Sequence, residues 1–207
     1  MEFLGTLFII SAPSGGGKTS LVNALIEQLH MIKVSVSHTT RAPRVGEVHG
    51  KNYFFVDQAE FEQYQADGVF LESATVFNHS YGTSKNWVLE QLQAGVDVIL
   101  EIDWQGARRV KEQMPCVSIF ILPPSREALL TRLEGRQQDS PEVIASRMEK
   151  ASHEISHYSE YDYVIVNDNF KTALEDLVAV LKAQRVRTSI QKQRYAALFA
   201  SLLQEPC

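Results

Sequence analysis

Leu7-Phe8-Ile9-Ile10-Ser11-Ala12-Pro13-Ser14-Gly15-Gly16-Gly17-Lys18-Thr19-Ser20-Leu21-Val22 is the stretch from which the rest of the chain is read. Leu7 to Ile10 is short, apolar and rich in β-branched and aromatic residues, the composition of a buried parallel strand. Ser20 to Leu29 sets Leu21, Val22, Leu25 and Leu29 on one helical face. Between strand and helix lie three consecutive glycines, then Lys18 and Thr19. Glycine lets the backbone curl so that several N–H groups converge on one point, and the following helix N-terminus adds partial positive charge. Such a loop cradles phosphate: Lys18 reaches the β- and γ-phosphates, and the Thr19 hydroxyl is placed for Mg²⁺. Ala12 stands where the generic pattern opens with glycine, while Gly17, Lys18 and Thr19 keep its closing half.

Outward from this loop the pattern is first strand-rich. Val34 to Thr40 alternates and is β-prone, Arg41 to Glu47 is a loop, and Asn52 to Val56 is a strand. Asp57 caps a short helix carrying Phe61 and Tyr64. Phe70 to Phe77 is a strand with Glu72 embedded in it, Asn78 to Gly82 reads as a turn, and Ser84 caps a helix closed by Gly95. Strands then alternate with helices: Val96–Ile102, Gln105–Met114, Val117–Leu122, a helix capped by Ser125, a polar loop 135–140, a helix from Pro141 to about Tyr158, a strand at Tyr163–Val166, and one long helix from about Thr172 to Leu203. This alternation implies an α/β fold, a mostly parallel sheet with helices on both faces.

Composition narrows the function. The chain has 207 residues and 44% hydrophobic content, enough for a sizeable core in one domain with mobile lobes. A net charge of −5 gives no bulk reason to bind nucleic acid or an anionic membrane, so anion recognition must come from locally focused Arg and Lys. Two cysteines, Cys116 and Cys207, suit a reduced cytoplasmic compartment. Neither a signal peptide nor a membrane span is read from the sequence.

Several constellations carry chemistry. Arg41 and Arg44 flank Pro43, and arginine suits bidentate phosphate contacts; Tyr53 and Tyr81 add hydroxyl donors. Alone these are solvated loop arginines, but beside a phosphate loop they suggest transfer between nucleotides. Glu72 in an apolar strand needs donors, either a structural cation or the adjacent N1–H and N2–H₂ of a guanine. Arg132, Arg136 and Arg147 bracket the 135–140 loop and can neutralise a transferring phosphoryl group, or simply face solvent. Glu101 and Asp103 end a buried strand on one side, with a place near Mg²⁺ for one of them and a helix cap as the alternative for Asp103. His153-Glu154-Ile155-Ser156-His157 spells H-E-x-x-H, but a zinc site needs a third ligand and an open cleft that nothing else in the sequence supplies. Lys182, Arg185, Arg187, Lys192 and Arg194 form a basic face, either solvated or a contact in a homo-oligomer.

Taken together, Ser11–Thr19, Val36-Ser37-His38-Thr39-Thr40-Arg41-Ala42-Pro43-Arg44-Val45-Gly46-Glu47, Tyr81-Gly82-Thr83-Ser84, Ile102-Asp103-Trp104-Gln105-Gly106 and Val164-Ile165-Val166-Asn167-Asp168 resemble the bacterial guanylate kinases over nearly the whole chain. The resemblance implies a P-loop NTPase-type sheet with a strand-rich GMP-binding lobe and a small lid. Its divisions would be a core at 1–34, 96–124 and 148–207, a lobe at 35–95 and a lid at 125–147. It implies ATP on Ala12, Pro13, Ser14, Gly15, Gly16, Gly17, Lys18, Thr19 and Ser20, with Asn167 near the adenine. GMP or dGMP would be held by Ser37, Arg41, Arg44, Glu47, Tyr53, Glu72, Tyr81, Gly82, Thr83 and Asp103. Lys18, Arg41, Arg132, Arg136 and Arg147 would act on the transferring group, and Thr19 and Glu101 would contact Mg²⁺. Glu101 stands where the family usually has Asp, a displacement of about 1 Å for the carboxylate, and Gln137 where it commonly has Gly. The expected reaction is ATP + GMP ⇌ ADP + GDP. A kinase for another nucleoside monophosphate, or a non-catalytic phosphopeptide-binding module, is the alternative; Glu72 and Thr83 speak against the first, and the intact phosphate loop against the second.

Overall fold

The computed structural model describes residues 4–76, 78–135 and 140–203. Strand β1 (Leu7–Ser11) is buried at every position, as a central strand covered on both faces must be. Helix α1 (Lys18–Gln28) follows the glycine loop and buries Leu21, Val22 and Leu25. After β2 (Ile32–Val34) the chain leaves the main sheet for β3 (His38–Thr39), β4 (Phe54–Phe55), α2 (Gln58–Ala66), β5 (Phe70–Val76) and β6 (His79–Ser84). Helix α3 (Lys85–Gln93) leads back to β7 (Asp97–Leu100). Then come α4 (Trp104–Gln113), β8 (Val117–Leu122), α5 (Arg126–Glu134), α6 (Pro141–Ile155), β9 (Tyr163–Val166), α7 (Phe170–Arg185), α8 (Thr188–Arg194) and α9 (Ala196–Leu202).

The five-stranded sheet has the order β2-β7-β1-β8-β9, and every pairing is parallel. Its carboxyl edge therefore gathers the glycine loop after β1, Glu101–Asp103 after β7 and Asn167 after β9, the usual crevice of an open α/β sheet. One face packs Phe8, Ile10 and Ile119 against α1 and α7; the other packs Leu7, Ile9 and Val98 against α3 and α4. A separate small core, Leu129, Leu133, Met148 and Ala151, joins α5 to α6.

The second sheet, β4-β3-β6-β5, has four strands. In β5 the register slips between Phe70 and Glu72. An alternating strand would bury only one of two neighbours, but at this bulge Leu71 and Glu72 are both buried, at 1% and 6% exposure. Leu71 fills the core beside α3 and α4, and Glu72 is turned inward without being swapped to solvent.

Several local expectations are corrected. The run 34–40, read as one strand, is split: Val34 ends β2 of the main sheet, and His38–Thr39 is β3 of the second. The segment 79–82 belongs to strand β6 rather than to a turn, and Asn78, at φ 63°, directly precedes it. Strand β7 ends at Leu100, so Glu101 and Asp103 lie on a loop. The helix from Pro141 stops at Ile155. The final helix is three helices, because Arg185 is pulled onto Asp97 (2.6 Å) and the His30 carbonyl (2.8 Å), and the Gln191 amide then caps the Arg185 carbonyl at 2.9 Å. No helix among the described residues is long and apolar enough to cross a membrane.

Candidate active site

The glycine loop is gripped from outside at three successive residues. The Ser14 N–H donates to Glu154 Oε2 of α6 at 3.2 Å. Gly15, at φ 88°, lies under α5: a β-carbon there would sit 3.0 Å from Leu129 Cδ1 and 3.1 Å from Leu133 Cδ2. The Gly16 carbonyl accepts from Asn167 Nδ2 at 3.0 Å. Gly17 caps α1 at φ 91°, and a β-carbon on it would lie 2.3 Å from Asn167 Nδ2, so only glycine fits by both conformation and space. Residues 12–20, Glu101–Asp103 and Glu154 line one cavity of about 310 Å³. Lys18 Nζ is 4.0 Å from Glu101 Oε2 in its wall. Burial holds the Lys18 pKa below the ordinary lysine value, and the charges of Glu101, Glu154 and Asp103 oppose that shift.

A second cluster lies in the strand-rich lobe. Arg41 Nη2 donates to both carboxylate oxygens of Glu47, at 2.7 and 2.9 Å, and Nη1 to the Ala42 carbonyl. The Arg44 N–H donates to Glu47 Oε2 at 2.7 Å. Arg41 also lies over the Tyr53 ring at 5.4 Å, and Tyr53 packs edge-on to Tyr81 at 5.9 Å. Arg41, Arg44, Glu47 and Tyr53, with Tyr81 brought in from β6, thus form one group around a paired guanidinium.

The third group is buried. Thr83 Oγ1 donates to Glu72 Oε1 at 2.7 Å, across directly paired residues of β5 and β6. Burial raises the Glu72 pKa, Thr83 draws it down, Asp103 raises it and Arg109 lowers it. A β-carbon at Gly106 would lie 3.1 Å from Glu72 Oε2, so the first turn of α4 closes over the carboxylate. Asp103 caps that turn, its Oδ1 accepting from the Gly106 N–H at 2.8 Å, and it also lines the phosphate-loop cavity. It therefore bears on Glu72 on one side and Lys18 on the other.

The remaining expected residues are placed as follows. Gly82 is in β6, where a β-carbon would meet the Phe70 ring at 2.8 Å. Ser37 precedes β3, and its carbonyl accepts from the Phe54 N–H. Arg132 on α5 donates from Nη2 to the Asn167 carbonyl at 2.8 Å, and its Nη1 is buried with no hydrogen-bond partner among the described residues. Arg147 is on α6, while Arg136 and Gln137 lie outside the described residues. Asn167, expected near a base, has its amide on the Gly16 carbonyl and is 5% exposed. His153 and His157 do not converge on a metal: His157 stacks on Trp104 at 3.7 Å, and His153 meets the same ring edge-on at 5.6 Å. No group of three His, Cys, Asp or Glu among the described residues is arranged to hold a metal. Glu154 is the site residue that sequence reasoning missed as such. It is 140 positions from Ser14, and nothing local in its helix signals the contact.

A parallel sheet with a phosphate loop at its carboxyl edge, a helical pair over that loop and an arginine-bearing second lobe define a P-loop nucleotide kinase architecture. The guanylate kinase family profile matches residues 5–184. The guanylate kinase of Salmonella typhimurium is 57% identical over 202 residues, covering 96% of this chain and 98% of that protein. That of Escherichia coli is 56% identical over the same span. A crystal structure of guanylate kinase from Anaplasma phagocytophilum superposes with a TM-score of 0.74 at 35% identity, covering 94% of this chain and 97% of that one. The chain belongs to the guanylate kinase family.

Proposed function

We propose that this family member transfers the γ-phosphoryl group of ATP to GMP, or dGMP, through two sites that meet at Asp103. The observation that carries this reading is the shared position of Asp103, in the wall of the phosphate-loop cavity and over the buried Glu72–Thr83 pair. The donor phosphates lie on the N–H groups of residues 12–20 with Lys18 beside them. The GMP phosphate takes Arg41, Arg44, Tyr53 and Tyr81, with Glu47, which accepts from Arg41 and from the Arg44 N–H, beside them in the same site. Glu72 accepts from guanine N1–H and N2–H₂, Thr83, Gly82 and Ser37 complete the base pocket, and Asp103 stands beside it. Adenine offers no such donor pair, so a wrong base leaves the buried Glu72 with Thr83 but without the base donors it needs. The GMP phosphate oxygen attacks phosphorus in line, with no covalent enzyme intermediate. Lys18, Arg41, Arg132, Arg136 and Arg147 neutralise charge; the buried Nη1 of Arg132, without a hydrogen-bond partner among the described residues, supports its place in this set. Asn167 acts by holding the loop from behind.

Mg²⁺ fits the donor set. The Thr19 hydroxyl and Glu101 line one cavity and would hold it as oxygen ligands, since a small hard cation needs only one or two protein oxygens beside phosphates and water. Bound there, it would supply charge neutralisation for the donor phosphates. The substrates are soluble nucleotides, and a cytoplasmic setting belongs to the same reading.

The test is coupled ADP release with Mg-ATP and each of GMP, AMP, CMP and UMP. Turnover with GMP alone is expected. Equal turnover with AMP removes the base-reading role of Glu72. No turnover with any acceptor, alongside tight GMP binding by calorimetry, makes the chain a binding module.

A further inference from the structure

Of the three grips on the phosphate loop, one is an anion. Leu129 and Leu133 press on Gly15 with methyl groups, and Asn167 offers an amide N–H to a carbonyl. Glu154 instead places a carboxylate oxygen on the Ser14 N–H, a backbone donor of the kind that this loop presents to phosphate. The same carboxylate lines the loop cavity with Lys18. Its position is fixed on both sides in sequence. His153 and His157 both pack on Trp104, which follows Asp103 directly and begins α4. The H-E-x-x-H string thus clamps the end of α6 to the start of α4 and aims its glutamate at the loop.

We propose that Glu154 is a placeholder anion, which occupies part of the donor phosphate seat in the empty enzyme and is displaced when the donor binds. This rests on the reading that the loop holds donor phosphates. A polyphosphate and a carboxylate cannot share the Ser14 N–H without like-charge repulsion in a partly buried cavity. The existing contact, 3.2 Å, lies at the long end of the roughly 2.7–3.2 Å range of N–H···O bonds, so it yields to a better acceptor. Burial also holds the Glu154 pKa above the ordinary carboxylate value, against the pull of the Ser14 N–H and Lys18, so this seat does not satisfy the charge fully. Because α6 shares its small core with α5, which lies on Gly15, displacement of Glu154 reports donor arrival to both helices over the loop.

The experiment is calorimetric binding of ADP to the wild type, Glu154→Gln and Glu154→Asp, first with EDTA and then with Mg²⁺, with GMP as a second titrant. Removing the competitor tightens metal-free ADP binding by about 3- to 10-fold in Glu154→Gln, the scale of one long, partly exposed hydrogen bond. Glu154→Asp, shorter by one methylene, shows a smaller gain. Mg-ADP follows the same order, and the GMP affinity stays at its wild-type value. Unchanged or weaker metal-free ADP binding overturns the proposal. Equal tightening for ADP and GMP overturns it too, because that is a general charge effect. Weakening only with Mg²⁺ overturns it in favour of a contact through the metal. Lys18→Ala is titrated alongside: if it binds ADP as the wild type does, the donor-loop reading itself fails, whatever Glu154 does.

Discussion

At the scale of single residues, burial shifts two ionisable side chains, Lys18 and Glu72, against their charged forms, and on the proposed assignment both face substrate. Burial lowers the Lys18 pKa, and the charges of Glu101, Glu154 and Asp103 oppose that shift. Lys18→Ala is expected to lower turnover on the order of 10³-fold while GMP binding changes little, as for loss of one central charge-stabilising group. Steady-state rates with GMP calorimetry check it, and a near-wild-type rate removes the phosphate role. Glu72 is the acidic counterpart. Its pKa is raised chiefly by burial, so the fold binds the proton more tightly than the unfolded chain does. The penalty for ionising it is fully present above the folded pKa and vanishes below the unfolded one. Glu72→Gln keeps an acceptor for the Thr83 hydroxyl and drops the charge. Its apo melting temperature is therefore expected to exceed the wild type's near about pH 8, the difference closing towards about pH 4. The same variant weakens GMP by about 10-fold or more and ATP far less, since base readout is lost on one side only. Equal losses for both nucleotides, or a lower melting temperature at high pH, would contradict this.

At the scale of elements, the loop and the residues after β9 are one mechanical unit. Gly17→Ala forces a β-carbon to 2.3 Å from Asn167 Nδ2 at φ 91°, and should cost about 1–3 kcal/mol from backbone strain before the clash is counted. Asn167→Ala removes one buried hydrogen bond, about 1 kcal/mol, and should raise the KM for ATP more than that for GMP. The double variant relieves the clash but not the strain, so its loss in urea unfolding is smaller than the two single losses added. Strict additivity would place the two residues out of contact. The end of α6 gives a separate pH test. Arg108 and His157 hold the Glu160 carboxyl at about 2. Its folded pKa is depressed, so its contribution is present above the unfolded value and fades as pH falls towards about 2. Glu160→Gln should lower the melting temperature at neutral pH, with the gap to the wild type narrowing on acidification; a constant gap would mean that the charge has no part in it. What was legible in the sequence follows the same division. Contiguous, periodic segments with local caps could be read directly: β1 and α1, and the helix starts at Asp57, Ser84 and Ser125, each of which accepts the expected backbone N–H. The bulge that buries both Leu71 and Glu72 could not be, because it depends on the partner strand. Nor could the break after Arg185, which tertiary contacts to Asp97 and His30 impose on a sequence of helix formers. The Arg41–Arg44 and Glu72–Thr83 groups stood out by residue type, whereas Glu154 on Ser14 required the folded contact.

At the scale of the whole molecule, the two sheets are built to different strengths. In the main sheet every residue of β1 and β7 is buried, as are five of the six in β8. Helices cover both faces, and their cores are aliphatic and continuous. The lobe sheet has two-residue strands at β3 and β4, of which only Thr39 is buried. Its packing rests instead on a cluster of rings, with His38 against Phe54, Tyr64 and Phe70, and Phe61 against Phe70. A cleft of about 610 Å³, lined by Ile26, Val34 and Trp87 on one side and His38 and Phe54 on the other, separates this cluster from α1 and β2. Local opening free energy tracks buried apolar contact, so the lobe is the natural low-stability unit and the main sheet the global one. Native-state hydrogen exchange should then show the amides of β3, β4 and β6 opening by local fluctuation, and those of β1, β7 and β8 only with global unfolding. GMP, which on the proposed assignment bridges Arg41 and Arg44 to Glu72, ties together segments that the empty lobe holds by a few short pairings. It should slow exchange in the lobe by about 10- to 100-fold at saturating concentration, following the binding free energy, and ADP alone should leave those amides nearly unchanged. Uniform protection of both sheets in the empty protein would mean a single cooperative unit. Protection of the lobe by ADP as strong as that by GMP would move the acceptor site out of it.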